Sequence, residues 1–276
     1  VDSTTQLLTI VIFLLALVVT TIVTQFVRRR RGLYTLREIP AFQRLPIMVG
    51  EAIESNRPVH VSLGTAALGG QSTLVSLANA ELFYQVARRA VIGTAAPIFT
   101  VGDTSALPLA QDTLRRAYAS RGIVNQMPYS SARWYPGSGN PLALAAALTA
   151  TVADDKVGAN FLGGSFGTEL ALIGHAAARR NQSIIATSDQ LEGQAVAWVM
   201  SDEALIGEEV FTAGAYLGES SSQVAGVVTQ DVLRLVLILG IMIPTAIALG
   251  NSFFSGSFGA GIQTAIHTLQ LLLGGR

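Results

Sequence analysis

The chain has 276 residues, half of them hydrophobic, and only 13% are charged, where soluble globular chains carry about 25%. That shortfall argues against an ordinary cytosolic enzyme and for a membrane protein. Eighteen basic residues, all Arg except Lys156, balance eighteen acids, so the charge does not point to nucleic acid. The lack of Cys excludes disulfides, thiolate catalysis and Cys-ligated metal centres.

Leu7–Val27 runs 21 residues without a charge, about 30 Å as a helix and enough to cross a bilayer core. Arg28-Arg29-Arg30-Arg31 follows at once. A secretory signal would carry its bases before the apolar run, whereas Val1–Gln6 holds only Asp2. The positive-inside rule then places the amino end outside and the chain after Arg31 in the cytoplasm. Residues 1–31 are thus expected to be an amino-terminal anchor, and 32–228 a cytoplasmic domain.

Gly32–Pro46 reads as a basic, Pro-punctuated linker, and Ile47–Ser55 as a short helix. A regular alternation follows. Pro58–Leu63 is a strand candidate and Ser72–Ala90 a helix, with Leu74, Leu77, Ala78, Leu82 and Val86 at helical intervals. Pro97–Val101 is a second strand. Leu107–Ser120 is a second helix, with Arg115, Arg116 and Arg121 near its carboxyl end, where the dipole favours positive charge. Ser131–Tyr135 is a weaker third strand, Pro141–Ala153 an Ala-rich helix, and Val157–Leu162 a fourth strand. Thr168–Arg179 is a helix and Ser183–Thr187 a fifth strand. Such alternation implies βαβ units and a mainly parallel sheet. The expected fold is a Rossmann-like α/β domain flanked by transmembrane helices.

Residues 229–276 are expected to hold the second anchor and the tail. A second apolar segment begins near Val232 and runs to about Leu249, with Arg234 placed to snorkel at its entry and Pro244 as a kink. Phe258–Leu273 carries an apolar face opposite Gln263, His267 and Gln270. It reads as an interfacial helix or one packed on a neighbouring subunit. A third span remains open, since Arg276 would then return inside.

Ligands of such sheets bind beyond the carboxyl ends of the strands. The turns expected there contain Gly64, Gly69, Gly70 and Ser72, then Gly102 and Asp103, then Gly163–Gly167 with Gly164 and Ser165, and Thr187–Asp189. Their amides could hold an anion at helix amino ends. Tight turns and N-caps require the same residue types without any ligand. Gly64 and Gly69 have phosphate-loop spacing, but Gly70 stands where Lys is needed, so nucleotide hydrolysis lacks support. Gly163–Gly167 matches the G-x-S-x-G elbow, yet His175 lies in the next helix and His60 in a strand, leaving Ser165 without a base. His60, His175 and His267 are too scattered for a metal cluster. A hard-cation site would need Asp103, Glu169, Asp189, Glu208 and Glu209 to converge. Trp134, Tyr135 and Trp198 read as packing residues. No catalytic residue, cofactor or metal is expected.

PVHVSLG with its following GG, PIFTVGD, LPLAQDTLRRAY, GGSFGTELALIGHAAARR and LIGEEVFTAGAYLG resemble a family of bacterial and archaeal membrane proteins that carries a domain of unknown function. The resemblance covers Pro58–Gly218 and the flanking spans. It implies a membrane-anchored α/β domain and brings no reaction, cofactor or active site. The functional expectation is a membrane-anchored structural subunit of an oligomer, partnered by the bilayer, by its own copies and by other membrane subunits. The alternative is a sensor or enzyme that binds a small molecule, an anionic ligand or a nucleotide, in the strand-end crevice.

Overall fold

The computed structural model describes residues 3–29, 36–218, 221–253 and 267–268. Two compact units emerge, Val1–Thr35 with Ser220–Arg276, and Leu36–Glu219. The expected Phe258–Leu273 helix lies outside the described residues, His267 and Thr268 apart.

In the first unit, α1 (Ser3–Arg29) and α9 (Ser221–Phe253) pack against each other. Each is long and apolar enough to cross a membrane, with mean hydropathy 2.7 over Thr9–Val27 and 2.4 over Gln223–Gly250. α9 starts at Ser221, well before the apolar run near Val232. Ser221–Asp231 contains no Pro, and its single Gly226 costs only about 1 kcal/mol, so polarity marks where the apolar surface begins, not where the helix does.

The second unit is built on one six-stranded sheet: β1 (Val59–Gly64), β2 (Ile98–Val101), β3 (Ala132–Trp134), β4 (Ala159–Ser165), β5 (Ser183–Ser188) and β6 (Glu203–Ala204). All neighbours pair in parallel in the order β3-β2-β1-β4-β5-β6, which is the doubly wound order with its switch point between β1 and β4. β1, β2 and β4 are buried along their whole length, as helices on both faces require. Val59, Val61, Leu63, Phe99, Val101, Phe161 and Ile185 supply one core. It is covered by α2 (Pro40–Glu54), α3 (Thr73–Ala90), α4 (Leu107–Ala119) and α8 (Ala213–Leu217). The alternate residues Leu162, Ile184 and Ala186 supply the other core. It lies under α5 (Pro141–Asp154), α6 (Leu170–Ala178) and Ala197 of α7 (Leu191–Met200).

Three local readings change. α2 begins at Pro40 and absorbs most of the expected linker. Pro is allowed in a first turn, and Pro46 within the helix is solvent-exposed, where the carbonyl it leaves unbonded can be hydrated. The inner face of α3 holds Ser76, Asn79, Ala80, Leu82, Phe83, Val86 and Ala87, so the expected Leu82 and Val86 are buried while Leu74 and Leu77 are 70% and 50% exposed. Small residues win that face because the helix closes on a glycine: a methyl on Gly163 would lie 2.0 Å from Asn79 Oδ1. Finally, α7 and the two-residue β6 extend the sheet past the fifth expected strand.

Candidate functional site

The expected site is the region beyond the carboxyl ends of β1, β2 and β4, and most of its polar groups are spent on one another. Gly64 ends β1 with φ +60°, and its carbonyl accepts from Gly102 N–H at 2.7 Å. In the loop that follows, Thr65 N–H donates to the Ser165 carbonyl (2.9 Å) and Ala66 N–H to the Leu63 carbonyl (3.2 Å). Ala67 N–H donates to Ser72 Oγ (3.0 Å), Leu68 N–H to Ser105 Oγ (2.9 Å) and Gly69 N–H to Thr73 Oγ1 (2.9 Å). Ser72 therefore ties the loop to itself instead of capping α3. Gly70 contributes a carbonyl that accepts from Thr73 Oγ1 (2.7 Å). An anion cradle needs convergent amides in want of an acceptor, and five consecutive amides here are already matched.

Asp103 is similarly engaged. Its Oδ1 accepts from Ser105 N–H (2.8 Å) and Ser105 Oγ (2.6 Å), and its Oδ2 from Ser138 Oγ (2.6 Å). The Ser105 hydroxyl first, then the Ser138 hydroxyl, hold this carboxyl below the usual carboxylate range. Gly102 serves close packing, since a methyl there would meet the Gly64 carbonyl oxygen at 2.6 Å.

Gly163, Gly164 and Ser165 were expected in a turn but are the last residues of β4. Glycine serves close approach there: a methyl on Gly164 would sit 2.0 Å from the Leu63 carbonyl oxygen. Phe166 is fully buried, with its ring against Gly64. Ser188 Oγ donates to the Phe166 carbonyl (2.6 Å) and accepts from Phe166 N–H (3.2 Å). Together, Phe166 and the bonds from Thr65 to Ser165 close the crevice between β1 and β4. Ser165 Oγ accepts from Gln190 Nε2 (2.9 Å), so the elbow-like motif presents an amide-bound hydroxyl and not a nucleophile–base pair. Among the described residues no three His, Asp or Glu side chains gather as a metal site.

His60 lies in the interior, in a polar chain that crosses β2, β1 and β4 within the sheet. Its Nδ1 meets Asn160 Oδ1 (3.0 Å) and its Nε2 meets Thr100 Oγ1 (2.9 Å). Asn160 Nδ2 donates to Gln182 Oε1 (3.1 Å), and Gln182 Nε2 to the Val152 carbonyl (2.9 Å). With Asn160 Oδ1 left as an acceptor, Nδ1 carries the proton and Nε2 is free to accept. Burial dominates and pushes the imidazole down to about 4, so it is neutral. No sequence motif announces this chain, because its members are joined only by strand register.

A cavity of about 940 Å³ opens at the β6 edge of the sheet, lined in part by Ile39, Leu191, Trp198, Val199, Asp202 and Glu203. The sequence reading has Trp198 packing, but it is 70% exposed, because α7 turns Gly193 and Ala197 inward and leaves Trp198 on its outer side.

The chain thus combines a parallel α/β unit, closed at its switch point, with two long apolar helices. It belongs to the family described as Domain of unknown function (DUF6754), whose pattern matches residues 2–258. Neither a curated protein nor a solved structure matches it.

Proposed function

We propose that this protein is a membrane-anchored assembly subunit of an oligomeric membrane complex, with no catalysis of its own. The observation that carries this reading is the closed seam between β1 and β4, where a doubly wound sheet would receive a ligand and Phe166 and main-chain bonds stand instead. Leu191, Trp198 and Val199, 83%, 70% and 76% exposed on α7, add an apolar surface of the kind that contacts partners. Tethering to a bilayer raises the local concentration of copies and favours their association. The purified chain in mild detergent should show a mass of several protomers plus detergent. A monomer over a wide concentration range would defeat the assembly reading.

The proposal includes a topology. α1 and α9 cross the cell membrane, the amino end lies outside, and the α/β unit lies in the cytoplasm. Support comes from Arg28–Arg31 and from the exposed Leu, Ile and Val side chains of both helices, which suit a lipid solvent. The chain has no native Cys, and Ser55 and Ser120 are both exposed. Cys placed at either should resist an impermeant maleimide in intact cells and react after permeabilisation. Reaction in sealed cells would reverse the orientation.

The second reading, a sensor of an anionic ligand, is favoured by the strand order alone. It requires the Phe166 seam to open, and electron density for a ligand at Gly64–Thr73 in protein from native membranes would establish it.

A further inference from the structure

Two arginines, Arg88 of α3 and Arg116 of α4, lie against one aromatic ring near the carboxyl ends of these helices, and a third, Arg121, is bonded to the main chain of Arg88. The guanidinium carbon of Arg88 lies 6.0 Å from the centre of the Tyr84 ring, and that of Arg116 lies 4.8 Å away. Arg121, just beyond α4, donates Nε–H to the Arg88 carbonyl at 3.2 Å. Among the described residues none of the three pairs with a carboxylate, not even Arg116 with Asp112 one turn earlier. Arg88 Nε is buried and has no hydrogen-bond partner.

The helix dipole accounts for single arginines in the last turns of α3 and α4. It does not account for three like charges brought together from two helices and a loop, nor for a buried N–H with no acceptor. Like charges this close repel, and a buried unbonded donor is costly. A phosphate group would offset the charge, since its oxygens accept from guanidinium forks such as those of the exposed Arg116 and Arg121. Beside Arg121 a hollow of about 640 Å³, lined by Val91, Ile92, Ile123 and others, has room for the rest of such a molecule.

We propose that Arg88 and Arg116, which flank Tyr84, and the neighbouring Arg121 form a binding site for a phosphate group, carried by a lipid headgroup or by a soluble compound. In a βαβ sheet the carboxyl ends of the helices lie opposite the carboxyl ends of the strands, so this site is separate from the strand-end crevice. It does not depend on the assembly reading.

The test uses the full chain in two settings. In mild detergent, pyrophosphate is titrated calorimetrically at constant ionic strength. In nanodiscs of phosphatidylcholine with or without phosphatidic acid, hydrogen exchange is followed over residues 84–92 and 115–124. Arg116→Gln with Arg121→Gln is the variant, because both side chains are exposed and its melting should match the wild type. Saturable pyrophosphate binding that weakens at least tenfold in the variant supports the site and assigns a soluble phosphate compound. Protection that requires phosphatidic acid and is lost in the variant supports it and assigns a lipid headgroup. No response to either probe, or an equal response in the variant, overturns the proposal.

Discussion

Gly164→Ala should lower the melting temperature of the α/β unit by roughly 8–16 °C, taking about 2–4 °C per kcal/mol for a domain of this size. The added methyl would meet the Leu63 carbonyl oxygen at 2.0 Å and its carbon at 2.6 Å. These are main-chain atoms of the neighbouring strand, so no side-chain rotation relieves the clash. Gly164 also has φ +149°, which L side chains rarely adopt. Overpacking and backbone strain together cost about 4 kcal/mol, a large part of the 5–15 kcal/mol that holds a typical domain folded. Gly70→Ala is the control. A methyl there meets nothing within 4 Å, and the change should stay within about 0.5 kcal/mol. Far-UV circular dichroism melts of both variants in the same detergent decide the matter. If Gly164→Ala melted with the wild type, the seam would be looser than described and the ligand-sensor reading would regain its crevice.

The second large effect is on acid stability. His60 has a folded pKa of about 4 against 6.5 in the unfolded chain. Below pH 6.5 the unfolded state takes up a proton that the folded state refuses, so stability falls as the pH drops. The loss runs from about pH 6.5 to 4 at up to 1.36 kcal/mol per pH unit, roughly 3 kcal/mol in all. His60→Gln keeps a donor and an acceptor in the chain but cannot titrate. Its stability between pH 6.5 and 5 should be nearly flat, whatever its absolute value. Denaturant midpoints at several pH values measure this, and equal slopes in the two proteins would show that His60 is not the group responsible.

Most of the first five strands were legible as short, largely apolar runs bounded by turn residues, and β3 least so, since Arg133 stands in its middle. Boundaries failed where one residue type has two uses. Pro40 and Pro46 read as linker punctuation, yet one opens α2 and the other lies inside it. Gly163 and Gly164 read as a turn, yet they are strand residues that allow β4 to approach α3 and β1. The turn residues Gly64, Ser72, Gly102 and Asp103 were found in sequence, but not their partners: Gly64 and Gly102 bond each other, Ser72 bonds Ala67, and Asp103 bonds Ser105 and Ser138. A single chain shows which donors are present and not which acceptors reach them. Arg88 and Arg116 are far apart in sequence and each is explained by its own helix, so their meeting at Tyr84 is visible only once α3 packs on α4.

The flanks of the sheet bear on how copies can meet. One flank is β3, three residues long, with Arg133 held by Asp155 through bonds of 2.5 and 3.3 Å. The other is β6, two residues long and carrying Glu203. A free strand invites a second chain to continue its ladder, and so short a run with fixed or charged side chains gives such a visitor few rungs. Crowding on a surface, which drives many β-rich proteins into fibrils, therefore finds little to template on here. If the proposed assembly forms, its growth would pass through helix faces, where self-complementary patches close into finite rings or pairs. An assembly of this kind could be taken apart and rebuilt without visiting the amyloid route.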